Sequence, residues 1–244
     1  MFESREQIQL WQARTAVRAF AYCAKAVATR RMSDKLRDLL VNKSEHWENV
    51  YQTKSSDEVS WYEPVPKQSL ELIADAARDS RGRVIDIGGG QSFLVDHLLD
   101  LGFSHVAVLD ISQTAIEATK ARLGECADNV EWLVADITQA ASLGQFDIWH
   151  DRAVFHFITD PEDRRHYVDL LKRSLPIGGH FVVGTFAKGG PEKCSGLPIC
   201  QYDAATMQAE LGSSFEPIKC SKYLHTTLSG KPQQFFFGVY KRIE

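Results

Sequence analysis

The chain has 244 residues, 44% of them apolar, and a formal net charge of −4. That length can bury a full core as one large domain, or as one domain with an extension. The weak negative charge gives no global field that attracts nucleic acid, but it does not exclude a local basic patch, so nucleic acid is only a secondary candidate as a partner. No apolar run approaches the length needed to span a bilayer, so we expect no membrane partner.

The cysteines and the N-terminal stretch bear on location. Five cysteines, an odd number without short-range pairing, favour a reducing compartment over a disulfide framework, which predicts a cytoplasmic protein. Residues 1–31 are basic and alanine-rich, and if they are a transit segment the location is mitochondrial, although two early glutamates weaken that alternative. We predict an N-terminal extension at residues 1–43, helical or partly disordered, and a main domain at residues 44–244.

Two aromatic clusters, at residues 44–51 and 60–64, precede the main apolar pattern. Trp61 is a candidate to cap a ligand crevice. The alternative is that Trp61, like Trp47, only ties the N-terminal helix to the sheet. After Pro66 the amphipathic run Ser69–Ala77 predicts a helix.

A glycine turn follows the first apolar run. Residues 84–87 are mostly β-branched and predict a buried parallel strand, and the helical spacing of apolar residues resumes at Phe93. The glycines between them, including Gly88 and Gly90, allow backbone conformations that a Cβ forbids and a close approach of a ligand. This pattern predicts a small polar ligand in the crevice at the carboxyl end of the strand.

Acidic residues follow the next two predicted strands. Asp110 ends the strand at residues 106–109, about 20 residues after the glycines, where a carboxylate can accept hydrogen bonds from both hydroxyls of a ribose. Its alternative role is to cap the helix predicted at residues 113–123, but Ser112 is available for that. Asp136 ends the strand at residues 130–135, where it can accept from an adenine amine while Ile137 packs on the ring, or can simply close a capped turn.

The rest of the chain completes an alternating pattern. Residues 146–150 and 181–186 predict two more strands, residues 203–211 a helix, and residues 215–223 with 233–240 a closing pair of strands. The long segment at residues 187–198 predicts a loop that covers a substrate.

Five segments, in this order, resemble the class I S-adenosylmethionine-dependent methyltransferases. They are Val84–Gly90, Val108–Ser112, Val134–Ile137, Phe146–Trp149 and Leu171–Gly179, within a match covering roughly Trp47 to Arg242. The resemblance implies an α/β, Rossmann-like doubly wound sheet of about seven strands with an antiparallel C-terminal pair. One departure is Ser92, which stands at the family's third glycine position.

The resemblance also implies S-adenosylmethionine as the cofactor. Gly88 and Gly90 are then expected beside its methionine part, Asp110 at the ribose, and Asp136 with Ile137 at the adenine. The full predicted cofactor-binding set is Asp86, Gly88, Gly90, Asp110, Ile111, Asp136, Ile137, Asp151 and Trp61.

Two residues after the fourth strand are candidates for catalysis. Asp151 can hold a cationic group near the methyl donor, and His156 can act as a base. Methyl transfer from a sulfonium needs mainly alignment and a deprotonated nucleophile, so a base is optional. The alternative for His156, which lies between Phe155 and Phe157, is a core histidine with one hydrogen bond.

The predicted function is methyl transfer to a nitrogen, oxygen or sulfur nucleophile of a small molecule or a protein side chain. One alternative is a thiol or arsenite-type methyltransferase using Cys194, Cys200 and Cys220, although lone cysteines are usually buried small hydrophobes. Another is a cofactor-binding module without catalysis, favoured if Trp61 or His156 plugs the crevice. A nicotinamide-dependent dehydrogenase is disfavoured by the order of the glycines. We expect no metal site, and a monomer or a weak homodimer.

Overall fold

The computed structural model describes residues 43–77 and 81–244. The expected extension at residues 1–43 lies almost wholly outside the described residues, so its character and the transit-segment alternative remain predictions. Residues Trp47–Glu244 form a compact unit, whose start lies close to the expected boundary at residue 44.

The described chain contains helices and strands that alternate through its first half. The helices are α1 (residues 43–53), α2 (Lys67–Ala77), α3 (Leu94–Asp100), α4 (Gln113–Leu123), α5 (Pro161–Ser174) and α6 (Ala204–Leu211). The strands are β1 (Val84–Ile87), β2 (Val106–Asp110), β3 (Val130–Val134), β4 (Ile148–Arg152), β5 (His180–Phe186), β6 (Lys193–Cys194), β7 (Leu197–Pro198), β8 (Phe215–Thr226) and β9 (Pro232–Arg242).

Seven of these strands form one sheet in the order β3-β2-β1-β4-β5-β9-β8. The first five are parallel, and β9 and β8 are antiparallel to their neighbours. This confirms the predicted doubly wound sheet with an antiparallel C-terminal pair. The strand order reverses between β1 and β4, and in open sheets of this kind ligands bind outside the carboxyl ends of the strands at such a point.

Side chains alternate between the two faces of the sheet, and each face has its own apolar core. On β1, Ile85 and Ile87 belong to one core cluster, whereas Val84 belongs to the other. Helix α2 packs its buried Leu72 and Ile73 into the Val84 cluster, and helix α5 packs into the Ile85 cluster. Successive residues of a strand therefore contribute to opposite cores, and residues two apart contribute to the same one.

Several boundaries differ from the sequence expectation. The fourth strand is β4, Ile148–Arg152, two residues later than expected, because Phe146 and Asp147 precede the first ladder pair with β1. The expected loop at residues 187–198 contains the small hairpin of β6 and β7. Both closing strands are longer than expected, since β8 and β9 pair almost along their full length.

A buried polar network ties β4 to α5. The Trp149 indole Nε1 donates to the Tyr167 hydroxyl at 2.8 Å, and that hydroxyl donates to Asp151 Oδ2 at 2.6 Å. Asp151 Oδ1 accepts from the backbone N–H groups of Val154 and Phe155, at 3.0 and 3.1 Å. The carboxylate thus fixes the 3₁₀ turn that follows β4, while burial raises its pKa to about 6.

Tyr167→Phe is expected to lower the free energy of unfolding by about 2–4 kcal/mol near pH 8, because an ionised buried carboxylate and an indole N–H lose their shared partner. The folded-state pKa of Asp151 lies above its ordinary value, so the protonated form favours folding and this site loses stability as the pH rises through 6. The mutational loss should therefore shrink near pH 5, which denaturant unfolding at both pH values measures.

The matched control is Tyr62→Phe, since the half-buried Tyr62 ring packs edge-on against Phe93 at 6.0 Å. It should change stability little and without dependence on pH. An equal loss at both pH values in Tyr167→Phe would contradict the role assigned to the Asp151 contact.

Candidate functional site

The turn after β1 needs glycine for two separate reasons. Gly88 and Gly90 have φ angles of 68° and 34°, in the left-handed region that side chains disfavour. A Cβ on Gly89 would lie 2.7 Å from both Asp86 Oδ2 and a Val108 methyl carbon. The turn thus brings its backbone against the carboxylate of β1, which leaves no room for larger residues.

Ser92, the departure from the family's third glycine, has a local task. Its hydroxyl accepts from the backbone N–H of Leu94 at 3.1 Å, at the start of α3. A small polar side chain at this position therefore satisfies one helix N–H that has no partner within the helix.

A pocket opens beside the glycine turn, at the carboxyl ends of β1 and β4, with about 370 Å³ of non-atom space that includes open solvent. It combines aromatic, acidic, basic and hydroxyl groups. The lining residues are Tyr51, Trp61, Pro66, Ser69, Asp86, Gly88, Gly89, Ser92, Leu94, His150 and Arg152. Of the predicted site residues, Asp86, Gly88 and Trp61 line this pocket.

Three lining side chains form a buried hydrogen-bonded chain. Asp86 Oδ1 lies 2.7 Å from His150 Nδ1, and His150 Nε2 lies 2.9 Å from Ser69 Oγ. Their exposed fractions are 3%, 2% and 1%. Asp86 and His150 are paired in register on adjacent strands, and Ser69 comes from α2 on the same face.

Asp110 ends β2 on the other side of the glycine turn. Its Oδ1 accepts from the backbone N–H of Ser112 at 2.9 Å, while Ser112 Oγ accepts from Ala115 and caps α4. A Cβ on Gly90 would lie 2.7 Å from Asp110 Oδ2, so that oxygen faces the glycine turn. Burial, with the nearby Asp86 carboxylate adding to it, raises the pKa of Asp110 to about 7.

Asp136 follows β3, the next strand along. Its Oδ1 accepts from both the backbone N–H and the hydroxyl of Thr138, at 2.9 and 2.7 Å. Its Oδ2 is buried and has no hydrogen-bond partner within the described residues. Ile137 is buried in the Ile85 core cluster, and Ile111 is half-buried. One carboxylate oxygen is therefore left for a donor from outside the protein.

Trp61 is held at the pocket through its backbone. Arg152 Nη2 donates to the Trp61 carbonyl oxygen at 2.6 Å, and the same nitrogen lies 3.6 Å from Glu63. The Trp61 ring meets the Trp47 ring edge-on at 5.9 Å. Both sequence alternatives for Trp61 are therefore combined: it packs on the helix and it lines the pocket.

The structure corrects the expected position of Asp151. His150 and Arg152 reach the pocket face of β4, and Asp151, between them, points to the opposite face, where Tyr167 and the turn amides use both carboxylate oxygens. Period-two alternation of the strand causes this difference. Asp151 therefore lies away from the pocket, in the network that anchors β4 to α5.

His156 also lies away from the pocket lining. Its ring is fully buried, is stacked on Phe186 at 4.9 Å, and receives a long hydrogen bond of 3.4 Å from the Phe186 backbone N–H at Nδ1. Burial lowers the pKa of His156 to about 3, so the ring is neutral. This environment fits the second sequence alternative for His156, a core histidine with one hydrogen bond.

The three cysteines named above have separate environments. Cys194 is buried, and burial raises the pKa of its thiol to about 11. Cys200 lies 3.8 Å from Arg164, and Cys220 lies 3.7 Å from the Tyr240 hydroxyl. Within residues 43–77 and 81–244, no group of three or more metal-ligating side chains is assembled. The trio that an arsenite-type reaction requires is thus not gathered there.

The sequence analysis assigned no site role to four residues that line the pocket: Tyr51, Ser69, His150 and Arg152. The usable signal was the polar sequence His-Asp-Arg at the end of a buried strand, whose alternation predicts that the first and third residues share a face. Nothing in the sequence indicated that Ser69 of α2 would lie above them. No helix of the described part of the chain is long and apolar enough to cross a bilayer.

Residues 85–181 match a family model described as a methyltransferase domain. The eEF1A lysine and N-terminal methyltransferase of Danio rerio is 25% identical over 149 residues, 59% of this chain and 21% of that protein. Nodulation protein S of Rhizobium tropici is 32% identical over 80 residues, 33% of each chain. The matched stretches thus span a third or less of these two relatives.

A solved structure has the same fold. The N-methyltransferase NodS from Bradyrhizobium japonicum, in complex with S-adenosyl-L-homocysteine, superposes with a TM-score of 0.60, covering 81% of this chain and 98% of NodS at 15% identity. At this identity the likeness shows the fold alone. The match at residues 85–181 and the shared fold support the assignment of the described chain as a class I methyltransferase that uses S-adenosylmethionine.

Proposed function

We propose that this chain binds S-adenosylmethionine in the pocket and crevice described above and transfers its methyl group to an amine nitrogen of a protein or small molecule. The observation that carries the proposal is a set of carboxylates toward the carboxyl ends of three adjacent parallel strands. Asp86 lies on β1, Asp110 ends β2, and Asp136 follows β3 by two residues and keeps an unpartnered buried oxygen. Buried polar atoms are normally hydrogen-bonded, so the unused oxygen fits a ligand donor.

The strand order gives the cofactor a direction. The registers of the sheet stagger the three carboxylates. Asp86 pairs with Val108, two residues before Asp110, and Asp110 pairs with Val134, two residues before Asp136. They form a diagonal row across β1, β2 and β3, and an amino-acid end at Asp86, a ribose diol at Asp110 and an adenine amine at Asp136 match that row in order and in donor type. Gly88 and Gly90 then let the ligand pass close to the backbone.

The bound cofactor supplies a methyl group already activated on a sulfonium. What this chain contributes is alignment, exclusion of water and electrostatic support, since the transfer needs a nucleophile with a free lone pair more than a general base. Trp61 and Tyr51 provide the aromatic wall of the pocket, and Arg152 holds Trp61 in place. Asp151 and His156 have no part in this proposal, because both side chains are engaged elsewhere in the fold.

The choice of nitrogen as acceptor rests on the relatives. One relative is named as a lysine and N-terminal methyltransferase, and the solved NodS structure is named as an N-methyltransferase. The separated cysteines give no support to a thiol or arsenite acceptor. The open pocket, lined and not filled by Trp61, favours catalysis over a cofactor-binding module. A cytoplasmic location, with a mitochondrial alternative, remains part of the proposal.

Calorimetric titration with S-adenosylhomocysteine is the first test, and we expect saturable binding and a higher melting temperature, because a ligand that binds only the folded state stabilises it. Labelled S-adenosylmethionine is then supplied with lysate separated into protein and small-molecule fractions. Label is expected on an amine in one fraction. Neither binding nor a melting shift at saturating ligand would refute the proposal.

The affinity for S-adenosylhomocysteine should depend on pH through Asp110. Its pKa is raised to about 7, and only the ionised carboxylate can accept from both ribose hydroxyls, so binding should weaken as the pH falls. We expect a loss of about tenfold between about pH 8 and about pH 6, measured by calorimetry at each pH.

Asp110→Asn removes the titrating group and should give weaker binding with a flat pH profile. The exposed Asp100→Asn is the matched control and should keep the wild-type profile. A slope that survives unchanged in Asp110→Asn would assign the pH dependence to another group.

A further inference from the structure

In the buried hydrogen-bonded chain Asp86–His150–Ser69, only Asp86 has a role in the proposed function so far. Asp86 was expected at the cofactor, but His150 and Ser69 were not expected at all. Each of the three side chains lines the pocket and each is at least nine-tenths buried. Burying three polar groups is costly unless they are hydrogen-bonded, and here each contact is 2.9 Å or shorter.

The hydrogen-bond directions follow from the groups themselves. An ionised carboxylate only accepts, so His150 Nδ1 carries the proton directed at Asp86 Oδ1. In the neutral imidazole Nε2 is then an acceptor, and the Ser69 hydroxyl donates to it. Asp86 thereby sets the tautomer of His150, Ser69 donates to the other ring nitrogen, and His150 fixes the orientation of the Asp86 carboxylate.

The position of the hydrogen-bonded trio Asp86–His150–Ser69 in the sheet decides which part of a ligand it faces. Asp86 lies on β1 and His150 on β4, at the end of the carboxylate row opposite Asp136. Asp110, next in the row, adds a second carboxylate beside Asp86 and raises the negative charge around the glycine turn. A cationic group is the complement of that end, and the ammonium of an amino acid is the cation that the cofactor offers there.

We propose that His150 and Ser69 are positioning residues, which act through Asp86 to recognise the amino-acid end of the cofactor. The inference rests on the proposed function. His150 holds Asp86 so that its remaining lone pairs meet the ammonium, and Ser69 holds the His150 ring in the orientation that donates to Asp86. The nucleoside end of the cofactor, bound at Asp110 and Asp136, does not contact the hydrogen-bonded trio Asp86–His150–Ser69.

Two ligands separate the two ends. S-adenosylhomocysteine carries the amino-acid end, whereas 5′-methylthioadenosine has the same nucleoside and sulfur without it. In His150→Leu we expect affinity for S-adenosylhomocysteine to fall about tenfold or more, with a change of less than about twofold for 5′-methylthioadenosine. Calorimetry on the full chain measures both.

Three further variants complete the design. His150→Asn keeps a donor near the position of Nδ1 and should restore most of the selectivity, and Ser69→Ala should lose about three- to fivefold, for S-adenosylhomocysteine alone. His166→Leu is the matched control, because His166 on α5 bonds only the Ala140 carbonyl, away from the pocket. It should leave both affinities unchanged. Ser69→Ala keeps the test valid if His150→Leu does not fold.

The outcomes are distinguishable. Equal losses of affinity for both ligands in His150→Leu and in Ser69→Ala would show that the hydrogen bonds of His150 and Ser69 only support the fold. That result would overturn this inference and leave the proposed function standing. Failure of the unaltered chain to bind either ligand would overturn the proposed function and this inference with it. A loss of affinity confined to S-adenosylhomocysteine, with recovery of that affinity in His150→Asn, supports both the proposed function and this inference.

Discussion

The hydrogen bond between Asp86 and His150 joins β1 to β4 at the place where the strand order of the sheet reverses. Both side chains are buried, and the pair is tolerated there because both His150 ring nitrogens, Asp86 Oδ1 and Ser69 Oγ have partners. The bond between Asp86 and His150 requires β1 and β4 in register, and the bond between His150 and Ser69 requires α2 on the same face. Two hydrogen bonds therefore fix the glycine turn, the pocket floor and α2 relative to one another.

Most of the fold could be predicted from the sequence because its signals are local. The β-branched run of β1, the glycines after it and the helical spacing from Phe93 each reflect a backbone preference of a few residues. The assignments of Gly88, Asp110 and Asp136 to one edge also followed, since the carboxyl ends of parallel strands share an edge. What these residues bind remains a proposal.

The errors came from information that is not local. Asp151 was placed at the crevice because the strand was expected to end at His150. The strand continues to Arg152, so Asp151 stays within its alternation and its two neighbours face the pocket instead. His156 reads equally well as a base or as a core residue until the ring of Phe186 is found stacked on it. Ser69 belongs to the site only through a contact spanning 81 positions of chain.

The walls of the pocket come from outside the stretch that marks the family. Tyr51, Trp61, Pro66 and Ser69 all precede residue 85, where the methyltransferase match begins, and the strands β8 and β9 follow its end at residue 181. A fragment cut to the matched residues would keep the glycine turn and the acidic groups that follow it, but it would lack one side of the cavity, most of β5, and both β8 and β9. The recognisable core and the part that shapes the cavity are thus encoded separately. Exchange of the preceding segment between relatives would be a route to altering what the same core admits.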